Sequence, residues 1–287
     1  MLALRSTLVI DALDEPGLRA AARSAADAVT IDLASTAAHA DRGRARALAG
    51  RHAAAIAGAG RPVFVRVSDA RSGELEADLD AVVTAGIAAL ILSGAETPQD
   101  VRDIDVAARK REMRGGLEPG GIRLIAEIDS AAGLLALPRI IEAVDRHYAV
   151  ALNTEAISAE FGASQGGAAM LDHAMGTIAI AAHAAHLPWI LMGREALATR
   201  AHDFGAAGVR VGSESAVLGM NALFDLDPTK VTDARAILVE WERLRRRKAM
   251  VGVVAGEHGG QLVDRRSVRA ARALVERADA IEARVRQ

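Results

Sequence analysis

The chain has 287 residues, of which 51% are hydrophobic and none is cysteine. This composition allows a sizeable core without crosslinks and excludes disulfides, thiolate metal sites and cysteine nucleophiles. The formal net charge of −2 and the aromatic content of 2% give no indication of nucleic-acid binding. No run approaches the roughly 18 apolar residues of a membrane helix, and Arg5 and Asp11 interrupt the first apolar run, unlike a signal peptide. We therefore expect a cytoplasmic protein that binds neither nucleic acid nor membrane.

Eight short apolar runs recur along the chain, and Ala-rich helical patterns separate most of them. The runs are Leu4–Ile10, Ala28–Leu33, Pro62–Val67, Ala88–Leu92, Ile122–Ile128, Tyr148–Leu152, Leu187–Met192 and Gly208–Val211. Runs of this length, bounded by Gly, Pro, Asp or Ser, are typical of strands buried on both faces. Helical segments between such strands indicate parallel pairing. Eight units predict an α/β protein whose catalytic domain, residues 1–222, is a (β/α)8 TIM barrel.

The composition changes after the last run, and residues 223–287 are predicted to form a C-terminal helical lid or oligomerisation segment. Asp227-Pro228-Thr229 opens a long helix over Val231–Met250, and a second helix is predicted from Arg265 to Arg284. The Gly-rich segment 252–260 between them is interpreted as a turn, so this tail is expected to have no sheet of its own. A second Gly-rich segment, 162–167, is predicted to be a loop over the site.

Four polar residues lie at carboxyl ends of predicted strands: Asp32, Arg66, Asp129 and Glu155. Active sites of barrel enzymes lie at this end of the barrel, so these residues are the first candidates for chemistry. Asp129 and Glu155 end consecutive strands, and two carboxylates with room for water and substrate suit Mg²⁺. The alternative is that both carboxylates cap the helices that follow them.

Arg66 also has two interpretations. A buried arginine at a barrel mouth needs an anion, and its planar guanidinium suits a substrate carboxylate. The alternative is an internal salt bridge with Asp32 or Asp69. The residues alone leave both interpretations open.

Several motifs, taken together, carry a family resemblance over nearly the whole chain. They are Arg5-Ser6-Thr-Leu-Val, Ala26-Asp27-Ala-Val-Thr-Ile-Asp32-Leu33, the basic run Arg42–Arg46, Pro62-Val-Phe-Val-Arg66-Val67, Ile128-Asp129-Ser130-Ala131, Leu152-Asn-Thr-Glu155-Ala, Glu160-Phe-Gly162, Asn221-Ala-Leu-Phe224 with Pro228, and Gly260-Gln-Leu-Val-Asp264-Arg. In this order and spacing they resemble the citrate lyase beta-subunit and malyl-CoA lyase superfamily, the HpcH/HpaI aldolase/citrate lyase family.

The resemblance implies roles for individual residues. Asp129 and Glu155 would hold Mg²⁺ or Mn²⁺, and Arg66 would act in catalysis and bind the substrate carboxylate together with Asp32. Asp264 would act as an acid or base across a subunit boundary. A small-molecule carboxylate substrate, with a CoA thioester as one option, and a homo-oligomer, trimer or hexamer, are further implications.

The sequence also departs from the family pattern. Asp129 stands for the family's Glu, and Glu155 stands for its Asp. The Asp-Leu-Glu-Asp signature reads Asp32-Leu33-Ala34-Ser35, and the Gly-Lys and Ile-His-Pro elements after the eighth strand are replaced by residues 208–214.

We therefore expect a divalent-metal-dependent carbon–carbon lyase that acts on a 2-oxo acid or acyl-CoA-type substrate through a metal-stabilised enolate. Because of these departures, two alternatives stand beside it. One is a catalytically divergent, non-catalytic subunit, and the other is a thioester hydrolase on the same scaffold.

Overall fold

A computed structural model describes residues 3–35, 39–162, 167–256 and 259–286. The predicted barrel is confirmed: eight parallel strands, β1 to β8, pair in sequence order and close by pairing of β8 with β1. The strands are β1 Ser6–Asp11, β2 Ala28–Asp32, β3 Val63–Val67, β4 Ile87–Leu92, β5 Arg123–Ile128, β6 His147–Leu152, β7 Trp189–Leu191 and β8 Gly208–Val211.

Helices follow the strands as the crossover connections of a parallel barrel require. They are α1 Glu15–Ala21, α2 His39–Gly58, α3 Leu75–Val82, α4 Pro98–Arg114, α5 Ala131–Glu142, α6 Thr154–Glu160, α7 Gly167–Ala184, α8 Ala198–Asp203 and α9 Glu214–Leu223, with a 3₁₀ turn at Glu195–Leu197 before α8.

Alternate residues of each strand belong to two different environments. On β3, Val63, Val65 and Val67 are buried in the core that strands and helices share. The intervening Phe64 and Arg66 therefore point into the barrel, because successive side chains of a strand face opposite sides. This alternation delivers a polar side chain to the interior near the carboxyl end of several strands.

The described structure divides into two compact units, Leu4–Phe224 and a second unit that begins at Asp225. The boundary predicted from sequence lies two residues earlier, between residues 222 and 223. The C-terminal unit contains helices α10 Pro228–Arg246 and α11 Arg265–Val285, and its small core includes Ile237, Trp241 and Leu244.

The expectation that the tail has no sheet is wrong. Strands β9 Gly252–Gly256 and β10 Gly259–Val263 pair in an antiparallel hairpin, with Val253 opposite Leu262. The glycines had suggested a turn throughout, but Val253 and Val254 between them are good strand formers.

Residues 163–166 of the predicted loop at 162–167 lie outside the described part of the chain. Within that part, no helix combines the length and the apolar character that a membrane crossing demands.

Candidate active site

The centre of the site is a buried ion pair between Arg66 of β3 and Glu127 of β5. Arg66 donates from Nε to Glu127 Oε2 at 2.5 Å and from Nη2 to Oε1 at 3.0 Å. Glu127 is fully buried and also accepts a hydrogen bond from Asn153 Nδ2 at 2.7 Å. Charge-assisted, two-point contacts of this kind fix both side chains in position.

Arg66 also contacts the end of β2 and the end of β4. Its Nη1 donates to Asp32 Oδ1 at 3.2 Å and to Ser35 Oγ at 3.1 Å, and its Nη2 donates to Ser93 Oγ at 2.9 Å. A guanidinium has five N–H groups, and all five are therefore directed at partners within the protein. The internal salt bridge with Asp32, one of the two interpretations from sequence, is present.

The charges around Arg66 determine its ionisation. Burial by itself would lower the pKa of Arg66, but the Glu127 and Asp32 carboxylates outweigh it and hold the pKa above its ordinary value. Arg66 is therefore a permanent cation at the carboxyl end of the barrel.

Asp129 stands two residues beyond Glu127, immediately after the end of β5. Burial raises the pKa of Asp129 to about 6, and the Glu127 and Glu96 carboxylates add to this increase, while Arg66 and a hydrogen bond from the Gly94 backbone oppose it. Among the described residues, Asp129 has no ion-pair partner within 4.0 Å. It is a half-buried carboxylate whose negative charge the surroundings do not fully compensate.

Glu155 lies in the first turn of α6, after β6, the hydrogen-bonded neighbour of β5. Its Oε2 lies 3.7 Å from Nη2 of Arg210 on β8, and its side chain is half exposed. Both residues line a cavity of about 460 Å³ at this end of the barrel. The other lining residues are Val9, Asp11, Asp32, Ser35, Gly193, Arg194, Glu195 and Gly212.

Neither carboxylate is the N-cap of the helix that follows it, although Glu155 lies in the first turn of α6, where a negative charge favours the helix. Ser130 caps α5 by accepting from the Gly133 backbone, and Asn153 caps α6 by accepting from the Ala156 backbone at 3.1 Å. These neighbours accept the capping hydrogen bonds, so the Asp129 and Glu155 side chains are not needed as N-caps.

The donor set fits a hydrated Mg²⁺ ion better than a closed protein cage. Within the described part of the chain, no group of three or more His, Asp or Glu side chains is arranged to hold a metal ion. Mg²⁺ keeps several waters and commonly takes only one or two carboxylates from a protein. Asp129, which lacks an ion-pair partner among the described residues, and the half-exposed Glu155 are the two carboxylates from which such a site would be built.

Asp264 belongs to the C-terminal unit and has a structural role there. It is the N-cap of α11: its Oδ1 accepts from the backbone of Arg266 at 2.9 Å and of Ser267 at 2.8 Å. These hydrogen bonds lower the pKa of Asp264.

Sequence reasoning missed Glu127, which the structure places at the centre of the site. Glu127 is embedded in an apolar strand, and the resemblance drew attention to Asp129 instead. A usable signal was available, because residues two apart on a strand share a face, so an inward Asp129 implies an inward Glu127.

A comparison with known families agrees with this architecture. The model of the HpcH/HpaI aldolase/citrate lyase family matches residues 5–220. The chain belongs to this family. A curated relative, citrate lyase subunit beta of Escherichia coli (strain K12), is 37% identical over 78 residues. That alignment covers 27% of this chain and 26% of the relative, so the match spans about a quarter of the relative's length.

Solved structures share the fold over most of the chain. Protein CitE from Mycobacterium tuberculosis, in complex with magnesium, acetoacetate and coenzyme A, superimposes with a TM-score of 0.63 at 23% identity and covers 96% of this chain and 100% of that one. A citrate lyase from Burkholderia xenovorans LB400 gives a TM-score of 0.70 at 15% identity, with 96% and 92% covered. At these identities the likeness extends to the fold alone.

Proposed function

We propose that this protein is a divalent-metal-dependent carbon–carbon lyase that acts on a 2-oxo acid or an acyl-CoA-type substrate. The observation that carries the proposal is Asp129, a half-buried carboxylate without an ion-pair partner among the described residues, at the carboxyl end of a barrel strand. A group of this kind is a candidate metal ligand.

Asp129 and Glu155 would hold Mg²⁺ or Mn²⁺. When bound, the cation supplies electrostatic stabilisation of the negative charge that develops on the substrate's carbonyl oxygen. Glu127 keeps its position through Arg66 and Asn153 and adds negative charge next to Asp129, which favours a cation there. The complex of the related CitE protein with magnesium supports this choice of ion.

Arg66 would bind the substrate carboxylate if that carboxylate replaces a neutral hydrogen-bond acceptor of its guanidinium. Two of its N–H groups are directed at hydroxyls, Nη1 at Ser35 and Nη2 at Ser93. A carboxylate makes a stronger, charge-assisted hydrogen bond than a hydroxyl does. The bonds to Glu127 and Asp32 would remain and keep the guanidinium in place, so that the substrate is oriented against a fixed group.

A non-catalytic subunit is the second candidate, and one observation favours it. All five N–H groups of Arg66 already have partners within the protein. In a scaffold that no longer binds substrate, we expect every N–H group of this arginine to be hydrogen-bonded within the protein. The metal then decides between the two candidates, because a scaffold has no need of one.

The test is calorimetric titration of Mg²⁺ and Mn²⁺ into the protein, alone and with pyruvate, oxaloacetate, glyoxylate or acetyl-CoA. We expect metal binding that tightens with one of these ligands and is lost in Asp129→Ala. Asp145→Ala is the matched control, because Asp145 is an exposed aspartate just before β6, at the opposite end of the barrel. No metal binding by the unmodified protein under any of these conditions would favour the non-catalytic subunit.

Oligomerisation through the C-terminal unit is part of the same proposal. Asp264 would serve as an acid or base toward the site of a neighbouring subunit while it caps α11. The exposed apolar side chains of the hairpin, Val253 and Leu262, would pack in that assembly.

A further inference from the structure

Arg210 is an inward-pointing cation of the site to which the proposed function assigns no role. It lies on β8 between Val209 and Val211, both of which are buried in the core shared with the helices. Because strand side chains alternate, Arg210 points to the interior of the barrel. It lines the cavity of about 460 Å³ there.

The two inward arginines of the site differ in how fully their N–H groups are used. Every nitrogen of the Arg66 guanidinium donates hydrogen bonds within the protein, whereas Arg210 makes none to any residue that the structure describes. Its partner is Glu155, at 3.7 Å and half exposed. At that distance the contact is an ion pair without a hydrogen bond, so the guanidinium of Arg210 retains its donors for a ligand.

The cavity that Arg210 lines extends to two hydrogen-bond partners of Arg66. Asp32 and Ser35, which both accept from Nη1 of Arg66, line the same cavity as Arg210. Gly212 lines it beside Arg210, and a side chain there would meet no atom within 4 Å of its Cβ, so this part of the cavity is open space. The volume is in the range of small-molecule sites.

A divalent cation at Glu155 would also change the situation of Arg210. Glu155 cannot neutralise both, and engagement of its carboxylate by a metal weakens its attraction for the guanidinium. Arg210 would then be more available to an anionic ligand in the cavity. A carboxylate is the anion that a planar guanidinium binds with two parallel hydrogen bonds.

We propose that Arg210 binds a second carboxylate of the substrate and so selects a dicarboxylic acid over a monocarboxylic one. The inference rests on the proposed function for the identity of the reacting end, which Arg66 and the metal ligands would receive. The assignment of Arg210 depends on the cavity and on its unused donors.

The test compares dicarboxylates with a monocarboxylate. Binding of oxaloacetate, succinate and pyruvate is measured by calorimetry, with and without Mg²⁺, for the unmodified protein, Arg210→Gln and Arg210→Lys. Arg123→Gln is the matched control, because Arg123 is an exposed arginine at the opposite end of the barrel, at the start of β5. Thermal unfolding of each variant verifies that the barrel is intact.

We expect Arg210→Gln to weaken oxaloacetate and succinate about tenfold or more and to leave pyruvate unchanged, since one charge-assisted contact is lost. Arg210→Lys should recover only part of this loss, because lysine lacks the planar pair of donors. Arg123→Gln should bind all three ligands as the unmodified protein does.

Equal weakening of all three ligands, no weakening at all, or no preference of the unmodified protein for dicarboxylates would each overturn the assignment. The proposed function fails separately. If Arg210→Gln weakens succinate binding while 2-oxo acid binding is independent of Mg²⁺ and of Asp129, the role of Arg210 stands and the proposed lyase function is rejected. If oxaloacetate binding depends on Mg²⁺ and Asp129 but is unchanged in Arg210→Gln, the proposed function stands and the role of Arg210 is rejected.

Discussion

The Glu127 carboxylate accepts two hydrogen bonds from the Arg66 guanidinium across the interior of the barrel, from Nε at 2.5 Å and from Nη2 at 3.0 Å. β3 and β5, which carry them, are not paired with each other; β4 lies between. The ion pair therefore bridges strands that backbone hydrogen bonds do not connect.

Replacement of Glu127 by Gln should destabilise the protein strongly. The change leaves Arg66 buried with less negative charge around it, and breaking a buried ion pair costs about 3 kcal/mol or more in the free energy of unfolding. Urea denaturation measures this loss. Glu76→Gln is the control, because Glu76 pairs with Arg111 at the surface, where such pairs contribute less than about 1 kcal/mol. Similar losses in both variants would contradict the structural role of Glu127.

Asp129 should make stability depend on pH in the absence of metal. Its pKa is about 6 in the folded protein against an ordinary value of 3.8, so the folded state binds the proton more tightly. The stabilisation is present in full below about pH 4 and is lost as the pH rises through about 6. Compared with Asp129→Asn, the unmodified protein should lose free energy of unfolding over that range.

Urea denaturation of both proteins at pH 4, 5, 6 and 7 tests this expectation. Saturating Mg²⁺ should remove the loss at pH 7 if the ion binds at Asp129, because an opposing charge favours the carboxylate. A constant difference between the two proteins from pH 4 to 7 would be inconsistent with a raised pKa.

Two substitutions of Asp264 can distinguish its role as a helix N-cap from a role as an acid or base. Asn is as good an N-cap as Asp, whereas Ala is poor. We expect Asp264→Ala to lower the melting temperature of the C-terminal unit and Asp264→Asn to leave it nearly unchanged. If Asp264 also acts as an acid or base, both variants should lose activity. Full activity of Asp264→Asn would limit Asp264 to its structural role.

The hairpin of the C-terminal unit should participate in oligomerisation. Val253 is 64% exposed and pairs with Leu262, which is 55% exposed, so Val253→Asp places a charge in an apolar surface. We expect the unmodified protein to be a trimer or hexamer and Val253→Asp to shift toward the monomer in light scattering. Val106→Asp, at a half-exposed valine of α4, is the control. A monomeric unmodified protein would contradict the proposal.

The sequence predicted the barrel well because strands buried on both faces must be apolar. Strands such as Val63–Val67 and Ile87–Leu92 are therefore recognisable as apolar runs. It also predicted Asp32 as a partner of Arg66 as one of two alternatives. It did not reveal that Glu127 pairs with Arg66, since a charge within an apolar strand has no local signature of its partner 61 residues away. The hairpin was missed because Gly252, Gly256 and Gly259 outweighed the short valine run between them.

Because side chains alternate along the barrel strands, substitutions that affect packing and substitutions that affect ligand binding fall at different positions. Outward residues such as Val65 and Val209 pack under the helices, while their inward neighbours Arg66 and Arg210 line the site. A combinatorial library restricted to cavity-lining positions such as Arg210 and Gly212 could thus alter ligand choice at little cost to the melting temperature. Substitutions that reach the buried ion pair of Arg66 and Glu127 should, by contrast, lower the melting temperature.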